Sequence, residues 1–454
     1  MNMAPNLIPA LDPNPLPAPY WVFKLLLVLT FFLHILAMNS MLGGAVLALA
    51  ARWKLGSRRF NESSSRGVKE LRSLRAEDTS STSRLRPLDS STSRLLDSST
   101  SQLLDFSAAD LGHRLFYDVA HKLPSLLPAT ITLGIAPLLF VQVLYGQFFY
   151  TSSILLAWPW FLVLVFLTLA YYGFYYVSFT GVTGTPAGTT AGAPHAQGAG
   201  TPAYAAEKRP GRAVGVLLAS VLLIFAIGFI YSNNLTLSQT PSRWRAKYFA
   251  DPGGWNLNLS EPTLVPRFLH FFTAAVAVGG LLLILIAWSK WHQDAEYAAS
   301  VFKFGGKAFM YSTMAQFVVG FWFVASLPRN LRMLFFGDNT LATLLLLVGI
   351  VGGIGAIYLM AEALRRESVR LAACYVTGLT GVVILSMSVM RDLLRDAYLK
   401  LDFQPQQFMV KTQWSVFPLF LVLFVAGVIL WFVMLKRYGL FAGARAADPQ
   451  EKTP

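Results

Sequence analysis

Long apolar runs alternate with short polar connections along most of this chain, and that pattern predicts its architecture. Each run is about as long as the roughly 20 residues that an α-helix needs to cross the hydrocarbon core of a bilayer. The predicted fold class is therefore an all-α integral membrane protein, a bundle of about nine transmembrane helices. The predicted spans are 20–51, 123–149, 154–179, 213–231, 265–288, 304–327, 341–364, 371–390 and 414–435.

Two polar segments divide these spans into groups. Residues 57–110 form a low-complexity, Ser/Thr-rich loop whose imperfect repeat begins at Ser80, Ser90 and Ser98, and its composition predicts a mobile segment. Residues 181–211 are rich in Gly, Thr, Ala and Pro and predict a flexible linker. The other predicted units are the N-terminal segment 1–19, span 1 at 20–56, spans 2–3 at 111–180, spans 4–9 at 212–436 and the C-terminal tail 437–454.

Composition agrees with membrane lipid as the surrounding solvent. Of 454 residues, 55% are hydrophobic and only 13% are charged, which leaves too little polar surface for a soluble domain of this length. The net charge of +14 could indicate nucleic-acid binding, but the basic residues fall mostly in short loops between spans, so no nucleic-acid partner is expected. The single cysteine, Cys374, excludes a disulfide within the chain and the paired-cysteine motif that attaches c-type haem.

The distribution of Lys and Arg predicts the orientation in the membrane. Most of the basic residues lie in the loops after the odd-numbered spans and in the tail, so the N-terminus is predicted outside and the C-terminus inside. Arg243, Arg245 and Lys247 fall in a loop predicted outside and run against this trend, although long loops obey the rule poorly. The first span is expected to act as an uncleaved targeting signal.

His270 is the most informative polar residue because it lies just inside the fifth apolar span. Arg267 precedes it by three residues and shares its helical face. An imidazole one turn deeper than a cation fits a haem whose iron takes the histidine and whose propionates take the arginine. The alternative is a histidine that forms a hydrogen bond with a neighbouring helix.

His34 is a second candidate ligand, deeper in span one. If the helix is straight and begins at Tyr20, His34 lies about 20 Å from that end. Met38 and Met41 follow at helical spacing, so a thioether ligand is conceivable, but a methionine on an apolar face is more often packing. His34 can equally be a packing residue or part of a proton relay.

Three segments, in order, resemble subunit I of the cytochrome bd quinol oxidases. Arg267-Phe-Leu-His270 resembles the fifth-span site where that family binds a low-spin b haem. His34, followed by Leu42-Gly43, resembles the first-span histidine that ligates an active-site haem. The segment from Gly134 to Gly146 resembles the family's second span. The resemblance implies a multi-pass protein of the bacterial cytoplasmic membrane that binds haem b noncovalently and reacts with quinol.

The departures from the family fall on residues that its oxygen chemistry uses. Gln142 stands where the family has a proton-conducting glutamate, and an amide cannot exchange a proton as a carboxylate can. Leu347 stands where the family has the methionine that completes the low-spin haem site, and Leu345 where it has a nearby arginine. At the end of span eight only Arg391 fits the family's motif, without its preceding glutamate.

The resemblance and its departures together predict a haem-b electron-transfer subunit without the full oxygen-reducing site. It would pass electrons between quinol and a periplasmic carrier, such as a separate c-type cytochrome, or work with a second membrane subunit. The alternatives are a quinol:oxygen oxidoreductase subunit and a haem-free scaffold or transporter. Candidates for the second ligand opposite His270, and for arginines that hold propionates or a quinol headgroup, are Met333, Met387, Met390, Arg267, Arg329, Arg332, Arg391 and Arg395.

Overall fold

The computed structural model describes residues 15–77, 111–180 and 210–438, and among these residues it contains helices but no β-strand. The Ser/Thr-rich repeat, most of the Gly/Thr/Ala/Pro-rich linker and the tail from 439 onward lie outside these ranges, so the predictions for them stay predictions. The helices are α1 (Tyr20–Glu77), α2 (111–120), α3 (Leu123–Leu155), α4 (Ala157–Thr180), α5 (Pro210–Ser238), α6 (Trp244–Ala250), α7 (Leu264–Lys290), α8 (Ala295–Ser326), α9 (Arg329–Met333), α10 (Thr340–Arg365), α11 (Val369–Leu371), α12 (Thr377–Leu399) and α13 (Val416–Tyr438).

The helices confirm the prediction of an all-α membrane bundle. Within the described ranges, eight helical segments are long and apolar enough to cross a membrane. α11 and α12 join through a turn of π-helix at Ala372–Val376, so Val369–Leu399 counts as one span. The ninth predicted span coincides with α13, of which the stretch Val416–Leu430 qualifies only as a shorter apolar helix.

The first helix ends later than the apolar pattern predicts. α1 continues to Glu77, through the first part of the segment that the sequence predicts as a loop. The additional residues include Lys, Arg, Glu and Leu, which all favour helix. The end of an apolar run shows where a helix leaves the hydrocarbon core of the membrane. It does not show where the helix itself ends if polar residues continue it.

The centre of the bundle depends on glycines where α1 crosses α7. A methyl group on Gly43 would overlap the backbone of Ala275, and one on Gly279 would overlap Gly43. The next residue makes a similar contact between α7 and α8, where a Cβ on Gly280 would lie 2.6 Å from the carbonyl oxygen of Gly305. Small residues allow membrane helices to approach closely and gain van der Waals contact, so these contacts fix α7 against its neighbours.

We expect Gly43→Val to destabilise the bundle by at least the roughly 1–3 kcal/mol typical of overpacking, because α1 and α7 must separate to admit the side chain. Gly215→Val is the matched control, since a Cβ there would meet nothing within 4 Å. Thermal unfolding of both variants in detergent would check this. Equal Tm values for the two variants would contradict the close approach.

The bundle has two ends, each marked by a charge network. At the end where α1 begins and α12 finishes, Lys24 pairs with Asp392 and with Asp396, the latter at 2.7 Å, and the Tyr145 hydroxyl donates to Asp396 at 2.6 Å. We call this the Tyr20 end. At the opposite end, called the Lys290 end, Lys290 pairs with Asp118. Buried charges are costly unless they are paired, so these networks anchor the helix ends against one another.

Candidate cofactor site

A cavity of about 300 Å³ lies between α1, α7, α8, α10 and α12. Its volume is within the range of cofactor and ligand sites, and most of its lining side chains are aliphatic or aromatic. The polar side chains of the lining are neutral or cationic. They are Asn39, Arg267, His270, Thr313, Gln316, Thr380, Ser388 and Arg391.

His270 lines this cavity from α7. Its Nδ1 is buried and finds no hydrogen-bond partner among the described residues. The ring lies beside α8, where a Cβ on Gly320 would be 3.4 Å from its Cε1 atom. A buried ring nitrogen without a partner costs free energy, so this imidazole is suited to a ligand that enters the cavity.

Arg267 lies one turn before His270 on the same helix and is only 5% exposed. Within the described part of the chain, its Nε and Nη2 atoms have no hydrogen-bond partner. Its guanidinium carbon is 5.1 Å from the centre of the Phe323 ring, which supplies a cation–π contact but no negative charge. The lining position of Arg267 places this charge at the cavity.

Arg391 brings a second guanidinium to the cavity from α12. Its carbon lies 4.0 Å from the centre of the Phe31 ring, and its Nε is buried without a partner in the ranges that the structure describes. By contrast, Arg395, one turn further along α12, donates to Asp392 at 3.2 Å. Arg267 and Arg391 therefore leave donors free for an anionic group, as haem propionates would require.

At this cavity, the buried polar atoms without a hydrogen-bond partner among the described residues fit a haem. Four residues of one mostly apolar cavity in the described ranges carry buried atoms without a partner. They are His270, Arg267, Arg391 and Asn39, whose Oδ1 is the unpartnered atom. Noncovalent haem needs an axial ligand for iron, cations for two propionates and an apolar wall for the porphyrin. The structure thus brings His270, Arg267 and Arg391 to one cavity.

His34 lies elsewhere, between α1 and α3. Its Nδ1 donates a hydrogen bond to the backbone carbonyl of Thr130 at 3.0 Å. The ring packs against Gly134, where a Cβ would approach Cε1 and Nδ1 to 2.8 Å. This is the geometry of a histidine bonded to a neighbouring helix. The same hydrogen bond would also orient the ring of a metal ligand, so the ligand role of His34 stays a prediction.

The remaining candidates separate into lining and non-lining residues. Met387 and Met390 line the cavity, whereas Met333 is 38% exposed and is not a lining residue. Leu346 lines the cavity, but the neighbouring Leu347 is 51% exposed. The candidates Arg329, Arg332 and Arg395 do not line the cavity, and neither do Leu345 and Gln142, which differ from the residues of the family at those positions.

Sequence reasoning missed three polar residues that the structure makes important. Lys24 lies in the first span and could have been found as an ionisable residue within an apolar run. Asn39 is also polar within that span. Gln316 accepts a hydrogen bond from Thr273 at 2.7 Å, a contact between α7 and α8 that no spacing rule within one helix could predict.

The described residues do not offer a set of side chains that would hold a metal ion by themselves. A metal ion held by protein side chains alone normally requires several His, Cys, Asp or Glu ligands. No group of three such residues is found among the described residues. No protein-family model matches this chain, and no curated protein is significantly similar to it.

Proposed function

We propose that this protein is a membrane electron-transfer subunit that binds haem b noncovalently and passes electrons between quinol and a periplasmic carrier. The observation that carries the proposal is the cavity in which His270, Arg267 and Arg391 present buried atoms without a partner among the described residues. When bound, the haem would supply reversible one-electron transfer. The quinol donor and the carrier, a c-type cytochrome for example, follow from the resemblance to the cytochrome bd quinol oxidases.

The residues of this chain would bind and orient the group. Arg267 and Arg391 would donate to propionate oxygens near the Tyr20 end, and His270 would present a ring nitrogen one turn deeper. The apolar lining would keep water away from the iron and thereby influence its reduction potential. If the predicted orientation holds, the propionate edge lies towards the outside of the bacterial cytoplasmic membrane, on the side of a periplasmic partner.

Electron transfer is favoured over oxygen reduction by the chemistry of the residues present. Reduction of oxygen to water consumes four electrons and four protons, and its protons are usually delivered through carboxylates. At the family's second-span glutamate position, this chain has Gln142, a half-buried amide in α3. The lining of the cavity is neutral or cationic rather than acidic. These features support a site that moves electrons without coupled proton uptake at the same centre.

Purified wild-type protein should contain at least one haem b per chain, because the cavity provides the ligand, the cations and the apolar wall. A pyridine haemochrome assay with a protein determination would measure the ratio. Absence of haem b from protein produced with ample haem would overturn the proposal and favour a haem-free scaffold. A chlorin absorption band together with cyanide-sensitive oxygen uptake would instead establish the oxygen-reductase alternative.

A further inference from the structure

The structure separates the three methionines that could complete the iron site opposite His270. Met333 lies on α9 and is not a lining residue, whereas Met387 and Met390 on α12 both line the cavity. Met390 is 7% exposed and belongs to an apolar cluster with Leu331 and Phe335, against which Met387 also packs. Packing alone therefore does not separate Met387 from Met390.

The depth of each lining residue distinguishes Met387 from Met390. α7 runs away from the Tyr20 end and α12 runs towards it. His270 is three residues deeper than Arg267, or about 4.5 Å along α7, and Met387 is four residues deeper than Arg391, or about 6 Å along α12. Met390 is adjacent to Arg391, so the two residues leave the α12 backbone at nearly the same level. Of the two lining methionines, only Met387 lies about one turn deeper than the arginine on its own helix. His270 has the same relation to Arg267 on α7.

A glycine on α10 makes room for the Met387 side chain. A Cβ on Gly349 would come within 2.8 Å of the Met387 methyl carbon, so any larger residue at 349 would displace the thioether. Gly349 itself lines the cavity. The thioether thus lies at the cavity wall formed by α10 and α12.

We propose that Met387 is the second axial ligand of the haem iron, with His270 as the first, an inference that rests on the proposed function. A thioether is a soft ligand that suits haem iron and raises its reduction potential relative to a second histidine. The ligand would come from α12, whereas at Leu347 on α10 the side chain is half exposed and faces away from the cavity. This chain has Leu347 where the family has its methionine ligand. A ligand from Met387 would keep the iron six-coordinate.

The test compares Met387→Leu and Met387→His with the competing candidate Met390→Leu in the full-length protein. Met333→Leu is the matched control, because Met333 does not line the cavity. Haem content, the reduced optical spectrum, carbon monoxide binding and reduction potential would be measured for each. We expect Met387→Leu to convert a low-spin centre to a five-coordinate one that binds carbon monoxide stoichiometrically. Met387→His should stay low-spin with a lower potential. Met390→Leu should stay low-spin, and Met333→Leu should match the wild type.

Each result has a defined meaning. A low-spin spectrum and potential that are unchanged in Met387→Leu would overturn the Met387 assignment while leaving the haem proposal intact. The same conclusion follows if Met390→Leu, and not Met387→Leu, opens the site to carbon monoxide. Wild-type protein without haem would overturn the proposed function itself.

Discussion

The variant His270→Ala should lose the haem that the wild-type protein retains on purification. His270 is the imidazole whose buried Nδ1 has no partner in the described ranges, and the cavity offers no second histidine in its lining. Removal of a residue that only forms a hydrogen bond to a metal ligand lowers metal affinity roughly 10- to 100-fold. Removal of the ligand itself should cost more. The haem-to-protein ratio and the reduced-minus-oxidised spectrum would measure the loss.

Two variants control for general damage to the fold. His270→Gln keeps a polar side chain of similar reach but provides no imidazole, and it should lose the same low-spin signal. His34→Ala removes the hydrogen bond to Thr130 between α1 and α3 and should leave that signal unchanged, because His34 does not line the cavity. If both single variants at His270 keep the wild-type spectrum, the ligand assignment is wrong. A different spectral centre that disappears only in His34→Ala would establish the second site that the sequence predicts.

The fold was predictable because membrane solvation leaves a strong signal in sequence. Runs of apolar residues of spanning length identified every helix that the structure confirms as a span, since the backbone must satisfy its hydrogen bonds internally in lipid. The continuation of α1 to Glu77 was not predicted, because this part of the helix is polar and the prediction relied on runs of apolar residues. The glycine contacts at Gly43 and Gly279 also depend on pairing between helices, which a single sequence does not reveal.

Spacing in the sequence relates residues of the candidate site to one another only where they share one helix. Arg267 and His270 lie three residues apart, so helical periodicity places them on one face. Arg391 was linked to them by resemblance, and the structure brings all three to one cavity. Asn39, which lines the same cavity from α1, required the tertiary arrangement. Residues that meet across helices leave no spacing in the sequence. This explains why Met333 could not be distinguished from Met387 and Met390 before the lining of the cavity was known.

The double variant Arg267→Leu/Arg391→Leu should bind haem far more weakly than the wild type. A hydrogen bond to a charged group contributes about 1.5–3 kcal/mol, so each arginine should account for roughly 10- to 100-fold in affinity. Single variants should show intermediate losses, and Arg267→Lys should keep the charge but lose the bidentate geometry. Arg329→Leu is the matched control, because Arg329 is exposed near the same end of the bundle and does not line the cavity. Haem retention during detergent dilution would rank the variants.

The stability of haem-free protein distinguishes an anion-binding role of these arginines from a structural one. A buried guanidinium without a partner costs free energy, so leucine at 267 or 391 should leave the haem-free protein as stable as the wild type or raise its Tm. The same substitutions should lower the Tm of haem-loaded protein, because the propionates lose their cations. Protein produced under haem limitation and with ample haem would supply the two states. A fall in Tm of the haem-free variants would show that Arg267 and Arg391 stabilise the bundle through their contacts with Phe323 and Phe31, rather than by holding an anion.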